Sequence, residues 1–321
     1  MEAPRTTLPD GPVVTRLAPS PTGLLHLGHA RSFTLAWLHA RARGGRVVLR
    51  IEDLDRERCK SELVDTARAD IEWLGLDWDG EVRVQSRDLA PYERACDALL
   101  ARGEAYACTC TRAEIAALSA PHADDGEQRY PGTCAGRFAS PAAALRETGR
   151  ASGLRLRVPP GSVLVRDELR GERSFDVAAE VGDFLVRRRD GAFAYQLAVV
   201  VDDGLDGVTD VVRGDDLFSS AARQILLQRA LGLPTPRYWH LPLVQDEHGA
   251  RLSKRRGDIG LADLRRRGVD PRTVLGWIAR SADLDRGPRP APADLLPGFN
   301  LRRLPQSPAR LSPADLAALL P

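Results

Sequence analysis

The run Ala18-Pro-Ser-Pro-Thr-Gly-Leu-Leu-His26-Leu27-Gly28-His29 joins a proline- and glycine-rich turn to two histidines three residues apart. A helix-like apolar repeat including Phe33, Trp37 and Leu38 follows. At the start of such a helix the first backbone N–H groups lack partners and sit at the positive end of the dipole, which suits a polyphosphate. Imidazoles there can donate to phosphoryl oxygens as charge develops on them. The same pair could instead cap the helix or pack in the core, so the run alone points to nucleotide binding and no further. A second cluster, Cys108-Thr-Cys110 with Tyr130 and Cys134, offers three soft thiolates and a phenolic oxygen. Three thiolates suit tetrahedral zinc, and spacing alone permits His122 in place of Tyr130, the imidazole being the more usual ligand. Three buried free thiols are the alternative.

Composition limits the remaining choices. The 321 residues carry 46 basic and 44 acidic side chains, which argues against a uniformly cationic RNA coat. Charge is uneven, however: from Arg251 to Arg272 eight Arg or Lys residues accompany three Asp residues, as a phosphate-facing surface or a solvated face would. No secretory segment or apolar run of membrane-spanning length is visible, and five cysteines fit a reducing compartment better than a disulfide framework. A cytoplasmic, non-membrane protein, expected to be a monomer, is the resulting picture.

The elements that would position these groups follow from pattern. Val13 to Leu17 reads as a strand, and Arg46 to Ile51 as a second, apolar enough to lie inside a parallel sheet. With the intervening helix they form a βαβ unit, whose ligands sit beyond the carboxyl ends of the strands. That rule brings the 18–29 loop towards Glu52 and Asp53. Helices are expected at Ser61 to Leu74 and at Pro91 to Leu100, with Cys96 a small core residue. Residues 105–160 are loop-rich, as an insertion would be, with a capping box at Thr111-Arg-Ala-Glu114. Phe184 to Arg189 and Ala192 to Val201 flank Asp190-Gly191, which predicts a hairpin. A strand near Val208 to Val212, a helix from Ser219 to Leu231, a strand from His240 and a helix opened by Asp270-Pro271 complete the ordered part. Short helices and irregular backbone are expected after Ser281.

Three ordered motifs resemble the class I aminoacyl-tRNA synthetases. His26-Leu27-Gly28-His29 matches their HxGH motif, Arg50 to Arg56 resembles the segment after the second strand in the glutamyl branch, and Arg251-Leu252-Ser253-Lys254-Arg255 matches the KMSKS-type loop. The resemblance covers about residues 13–280. It implies an α/β Rossmann-like parallel-sheet catalytic domain with a zinc-containing insertion and a short helical C-terminal region. The corresponding divisions are residues 1–104, an insertion at 105–160, continued catalytic domain at 161–250, and 251–321 without a full anticodon-binding domain. It also implies ATP, with Mg2+, as substrate and L-glutamate as the amino acid. His26, His29 and Lys254 are assigned to catalysis at the phosphates, with Gly28, Ser253 and Arg255 completing the ATP site. Arg16, Ser20, Glu52, Tyr195 and Arg213 fall where glutamyl relatives contact the amino acid; the charges suit two carboxylates and one ammonium.

The cysteine and tyrosine pattern is similar to that of the glutamyl-Q tRNA(Asp) synthetases, truncated glutamyl-tRNA synthetase-like enzymes. That likeness favours Cys108, Cys110, Tyr130 and Cys134 as ligands of one structural zinc, although the spacer here is longer. It implies glutamate activation without tRNA and transfer to the queuosine base in the anticodon loop of tRNA(Asp). A shortened glutamyl-tRNA(Glu) synthetase, or a non-enzymatic zinc-bearing RNA-binding module, are the alternatives.

Overall fold

The computed structural model describes residues 11–118, 129–250, 260–284 and 286–319. Its first βαβ unit comprises β1 (Val14–Leu17), the helix Leu27–Arg41 and β2 (Arg46–Ile51). β1 and β2 pair in parallel from Val14 opposite Arg46 to Leu17 opposite Leu49, and β3 (Arg83–Val84) extends them beside Arg50 and Ile51. The apolar run of β2 is buried, as a strand covered on both faces requires. The helices Ser61–Trp73 and Ala90–Ala101 lie where the periodicity puts them, and Cys96 is buried.

The described residues between 105 and 160 hold more regular structure than their loop-like composition predicts. β4 (Ala105–Cys108) pairs antiparallel with β5 (Gly153–Leu156), and the helix Pro141–Thr148 is capped by the Ser140 side chain. The capping box at Thr111 is present: Glu114 N–H donates to Thr111 Oγ1 at 3.1 Å, and Thr111 N–H donates to the Glu114 carboxylate at 2.7 Å. Tyr106, Ala107, Cys108, Tyr130, Cys134, Phe138 and Ala144 form a small core here.

β6 (Val163–Asp167) and β7 (Gly171–Phe175) form a hairpin, and β8 (Leu185–Arg187) adds to β5. The expected hairpin around Asp190-Gly191 forms only at its turn, where Gly191 takes φ +89° and Arg188 N–H donates to Ala192 O at 2.7 Å. Its second arm is not a strand. Residues from Tyr195 to Asp206 form a helix, closed by Gly207 at φ +67°. A continuous apolar run does not distinguish a buried strand from a buried helix, and packing on both sides selects the helix here.

β9 (Asp210–Gly214) and β10 (Arg237–Leu241) pair in parallel, and β10 meets β6 at Tyr238 opposite Asp167. Thr209 bridges β1 and β9: its N–H donates to Val14 O at 2.9 Å, and its Oγ1 accepts from Val14 N–H at 2.8 Å. The helix Phe218–Leu231 covers this part of the sheet, while Pro271–Ser281 starts from the Asp270 cap. β11 (Val244–Gln245) pairs with β12 (Ala309–Arg310), fastening the C-terminal region, where short 3-10 turns alternate with irregular backbone. No described helix is long and apolar enough to cross a membrane.

Candidate active site

The carboxyl ends of β1, β2 and β9 open on a cavity of about 420 Å³ lined by Arg16, Ser20, His26, Gly28, His29, Glu52, Tyr195 and Arg213, among others. Residues far apart in the chain meet because parallel strands deliver their ends to one edge. Every amino-acid contact expected from the sequence reaches this cavity, as do the histidine pair and Gly28.

The helix Leu27–Arg41 begins with His26 as its cap. Gly28 N–H donates to His26 Nδ1 at 3.1 Å, and His26 N–H donates to His29 Nδ1 at 3.2 Å. Both Nδ1 atoms therefore accept, so in each neutral imidazole the proton lies on Nε2. The rings stand 3.9 Å apart between centroids. Capping and chemistry are thus compatible: the backbone uses one nitrogen of each ring, and the other is an N–H of the kind a phosphate accepts from. A Cβ at Gly28 would lie 2.9 Å from His26 Cε1, so a side chain there would displace the capping ring.

Glu52 sits just past β2 and accepts from Ser20 Oγ at 3.3 Å. Burial raises its pKa above the ordinary carboxylate range, while Arg50 and Arg16 pull it back. Arg16 donates through Nε to Asp203 at 3.3 Å and through Nη1 to Val212 O at 3.3 Å. Arg213 is buried, and Tyr195 is exposed at the rim.

Sequence reasoning missed the layer beneath. Arg50 is fully buried and donates to Asp203 at 2.7 Å, Asp206 at 3.2 Å and Glu52 at 3.4 Å. Burial works against its charge, but Asp203, Glu52, Asp202 and Asp206 outweigh that penalty and keep it protonated. Asp202 also accepts from Tyr92 Oη and Gln85. An arginine inside the apolar run Arg46–Ile51 was the available signal, since a buried cation requires carboxylates nearby. Arg31, also missed, borders the cavity and donates to Pro242 O at 2.8 Å and Ser281 Oγ at 2.9 Å. Burial lowers its pKa to about 10. Asp53 accepts from the backbone and hydroxyl of Ser86, an organising role.

Ser253, Lys254 and Arg255 lie outside the described residues. The described chain resumes at Gly260, which bridges His26, and Leu261 N–H donates to Leu25 O at 2.8 Å. In the described part of the basic 251–272 segment, Arg265, Arg266 and Arg272 pair with Asp70, Asp263 and Asp270, and they line neither cavity.

A second cavity of about 840 Å³ adjoins the first, sharing Ser20, Thr22, Glu52 and Tyr195. Arg58, Arg112, Arg188 and Arg223 are among its lining residues, and it reaches Tyr130. There the sulfur atoms of Cys108, Cys110 and Cys134 all lie within 4.8 Å of one another. Tyr130 Oη is 3.3 Å from Cys108 Sγ and 3.8 Å from Cys110 Sγ. The three thiols therefore lie close enough together to coordinate one metal ion, with the Tyr130 hydroxyl beside two of them. His122 lies outside the described residues.

Comparison with known proteins places this geometry in a family. The family model for the catalytic domain of class I tRNA synthetases (E and Q) matches residues 12–282. A glutamyl-Q tRNA(Asp) synthetase of Symbiobacterium thermophilum is 46% identical over 315 residues, which cover 95% of this chain and 97% of the relative. One from Nitratidesulfovibrio vulgaris is 44% identical, covering 94% and 96%. The crystal structure of a glutamate tRNA ligase from Elizabethkingia meningosepticum, in complex with its amino acid, superposes with a TM-score of 0.82 at 25% identity. It covers 96% of this chain and 69% of that one. By these matches the chain belongs to the class I tRNA synthetases of the E and Q type, within the glutamyl-Q tRNA(Asp) synthetases.

Proposed function

We propose that this chain uses ATP to activate L-glutamate and then transfers the glutamyl group to the queuosine base in the anticodon loop of tRNA(Asp). The observation that carries the reading is the convergence of two arginines, a half-buried glutamate and the paired histidines on one cavity of about 420 Å³. The α-carboxylate of glutamate attacks the α-phosphorus of ATP. A new P–O bond forms, and the bond to the β-phosphate breaks with its electron pair leaving on pyrophosphate. This reaction depends on orientation and charge stabilisation rather than on a protein nucleophile.

His26 and His29 donate through Nε2 to the phosphates. Lys254, supported by Ser253 and Arg255, meets the departing pyrophosphate, whose charge the Mg2+ that accompanies ATP would help to neutralise. Arg16 and Arg213 address the two glutamate carboxylates, Glu52 accepts from the ammonium with Ser20 beside it, and Tyr195 closes the rim. In the second half-reaction a nucleophile of the queuosine base attacks the activated carbonyl and AMP leaves. The adjoining arginine-lined cavity supports approach of an RNA phosphate backbone from the side of Glu52 and Tyr195.

Cys108, Cys110, Tyr130 and Cys134 would hold one zinc, which supplies a crosslink between the ends of the insertion rather than reaction chemistry. Activation is tested by ATP–pyrophosphate exchange without RNA. Exchange that depends on glutamate, and on no other amino acid at comparable concentration, is the expected result. Absence of exchange by folded, metal-loaded protein would overturn the reading.

A further inference from the structure

Arg213 is the cavity arginine with an unusual set of partners. Its Nε donates to His240 Nε2 at 3.0 Å, Nη1 to Gln224 Oε1 at 2.9 Å and Nη2 to Leu217 O at 3.2 Å. Its guanidinium also stands 5.4 Å from the centroid of the Tyr238 ring. All four partners are neutral, and no carboxylate among the described residues lies within ion-pair distance. Arg16 and Arg50, by contrast, both pair with Asp203.

The imidazole contact has a chemical consequence. An arginine N–H can only donate, so His240 Nε2 must carry the lone pair and Nδ1 the proton. That proton points to Asp167 Oδ2, 2.6 Å away. Asp167 is itself pinned: it accepts from the backbone N–H groups of His240 at 3.0 Å, Leu169 at 2.9 Å and Arg170 at 2.8 Å. The three residues come from the adjacent strands β6, β10 and β9, with His240 directly opposite Arg213 in the register. His240 is fully buried between Phe218 and Tyr238 and does not line the cavity. Its influence on a ligand therefore passes through Arg213.

We propose that Asp167 and His240 are a positioning pair that fixes the Arg213 guanidinium at the cavity without neutralising it, making the pocket selective for an anionic amino-acid side chain over its uncharged amide. The assignment of that side chain as glutamate rests on the function proposed above. A carboxylate in place of His240 would hold Arg213 equally well but cancel its charge; a neutral imidazole holds it and leaves the charge for the ligand. Of the five guanidinium N–H groups, the described residues accept from three, and the other two match in number the two oxygens of a carboxylate. Burial first, and the neighbouring Arg213 charge as well, lower the His240 pKa to about 4 despite Asp167, so the ring is neutral at physiological pH.

Two measurements test the pair. Long-range 15N–1H NMR of the wild-type protein at pH 7 should find His240 as the Nδ1–H tautomer. An Nε2–H tautomer in the wild type would overturn the proposal, because Nε2 could not then accept from Arg213. In ATP–pyrophosphate exchange, folded His240→Ala should raise the glutamate KM by about tenfold or more, the scale of a lost charge-assisted hydrogen bond. The ATP KM should stay within about twofold, and the preference for glutamate over glutamine in kcat/KM should fall. His240→Gln, whose amide oxygen can accept from Arg213, should restore part of both effects. Unchanged glutamate KM and preference in His240→Ala would overturn the pair, as would equal losses for ATP and glutamate in both variants. If the NMR result holds but the wild type shows no glutamate-dependent exchange, the glutamate reading fails while the pair stands for another anionic ligand.

Discussion

Asp203 accepts from both Arg16 and Arg50, tying an arginine that lines the cavity to one buried beneath it. Asp203→Asn keeps the shape but removes the shared counter-charge, so two buried cations lose part of their compensation. We expect a loss of about 3 kcal/mol in denaturant stability, the scale for breaking a buried pair, together with a raised glutamate KM as Arg16 shifts. Urea titration and glutamate-dependent exchange check the two effects; full stability with unchanged KM would contradict the network. His240 gives a pH prediction of definite sign. The unfolded chain binds a proton there below about pH 6.5, which the folded chain refuses until about pH 4. Stability contributed by the neutral ring is therefore present at pH 7 and lost as pH falls through that window. Relative to His240→Asn, the wild type should lose roughly 2–3 kcal/mol between pH 7 and pH 4.5. A stability gap independent of pH would contradict a neutral buried imidazole. At this scale His26, Gly28 and His29 were legible because paired histidines around a glycine stood out from their surroundings, and Glu52 because it follows β2 directly, while Arg16, Ser20, Tyr195 and Arg213 entered through family likeness. Asp167 and His240 were not, since an aspartate near a turn and a histidine in an apolar strand acquire meaning only when neighbouring strands bring them together.

Among the elements, the helix Leu27–Arg41 has its chemistry built into its cap, and Gly28 is the position where that dependence can be broken. Gly28→Ala places a methyl carbon 2.9 Å from His26 Cε1 and must turn the ring out of its cap. The expected cost is about 1 kcal/mol of stability, the usual worth of an N-cap, with a much larger loss in ATP–pyrophosphate exchange if the ring donates to the phosphates as proposed above. Thermal melts alongside exchange rates test this; parallel, small losses in both would contradict it. The insertion depends on a different device. Its core is the small cluster around Tyr106, Tyr130 and Phe138, to which the thiols themselves belong. Chelation of metal, or Cys134→Ser, should therefore raise hydrogen exchange in β4, β5 and the helix Pro141–Thr148 while β1, β2 and β9 stay protected. Uniform protection after metal removal would contradict the crosslink. The insertion's strands were hard to read because β4 and β5 are short and separated by a long spacer. The helix Tyr195–Asp206 was misread for another reason: Leu197 to Val201 are buried and valine-rich, so neither period nor propensity marks the helix. Two cues existed, Gly207 as a left-handed cap and the spacing of Asp202, Asp203 and Asp206, which a helix turns towards Arg50 and Arg83.

Across the whole molecule, the order of strands decides which distant residues share a site. Arg16, Glu52 and Arg213 come from the ends of β1, β2 and β9, and Thr209 joins the β1 and β9 edges so that these ends face one opening. The βαβ rule brought the 18–29 loop towards Glu52 and Asp53 from sequence; Arg16 and Arg213 entered through family likeness, and the strand of Arg213 joins β1 only across the assembled sheet. The second cavity shares Glu52 and Tyr195 with the first and carries arginines on its walls, and in the function proposed above it is the side from which RNA approaches. Glutamate transfer from ATP to three RNAs, namely queuosine-containing tRNA(Asp), tRNA(Asp) lacking queuosine and tRNA(Glu), tests this account most directly. It predicts stable incorporation of labelled glutamate into the queuosine-containing tRNA(Asp) alone. Efficient charging of tRNA(Glu) at its terminal adenosine, with none on the modified tRNA(Asp), would contradict it.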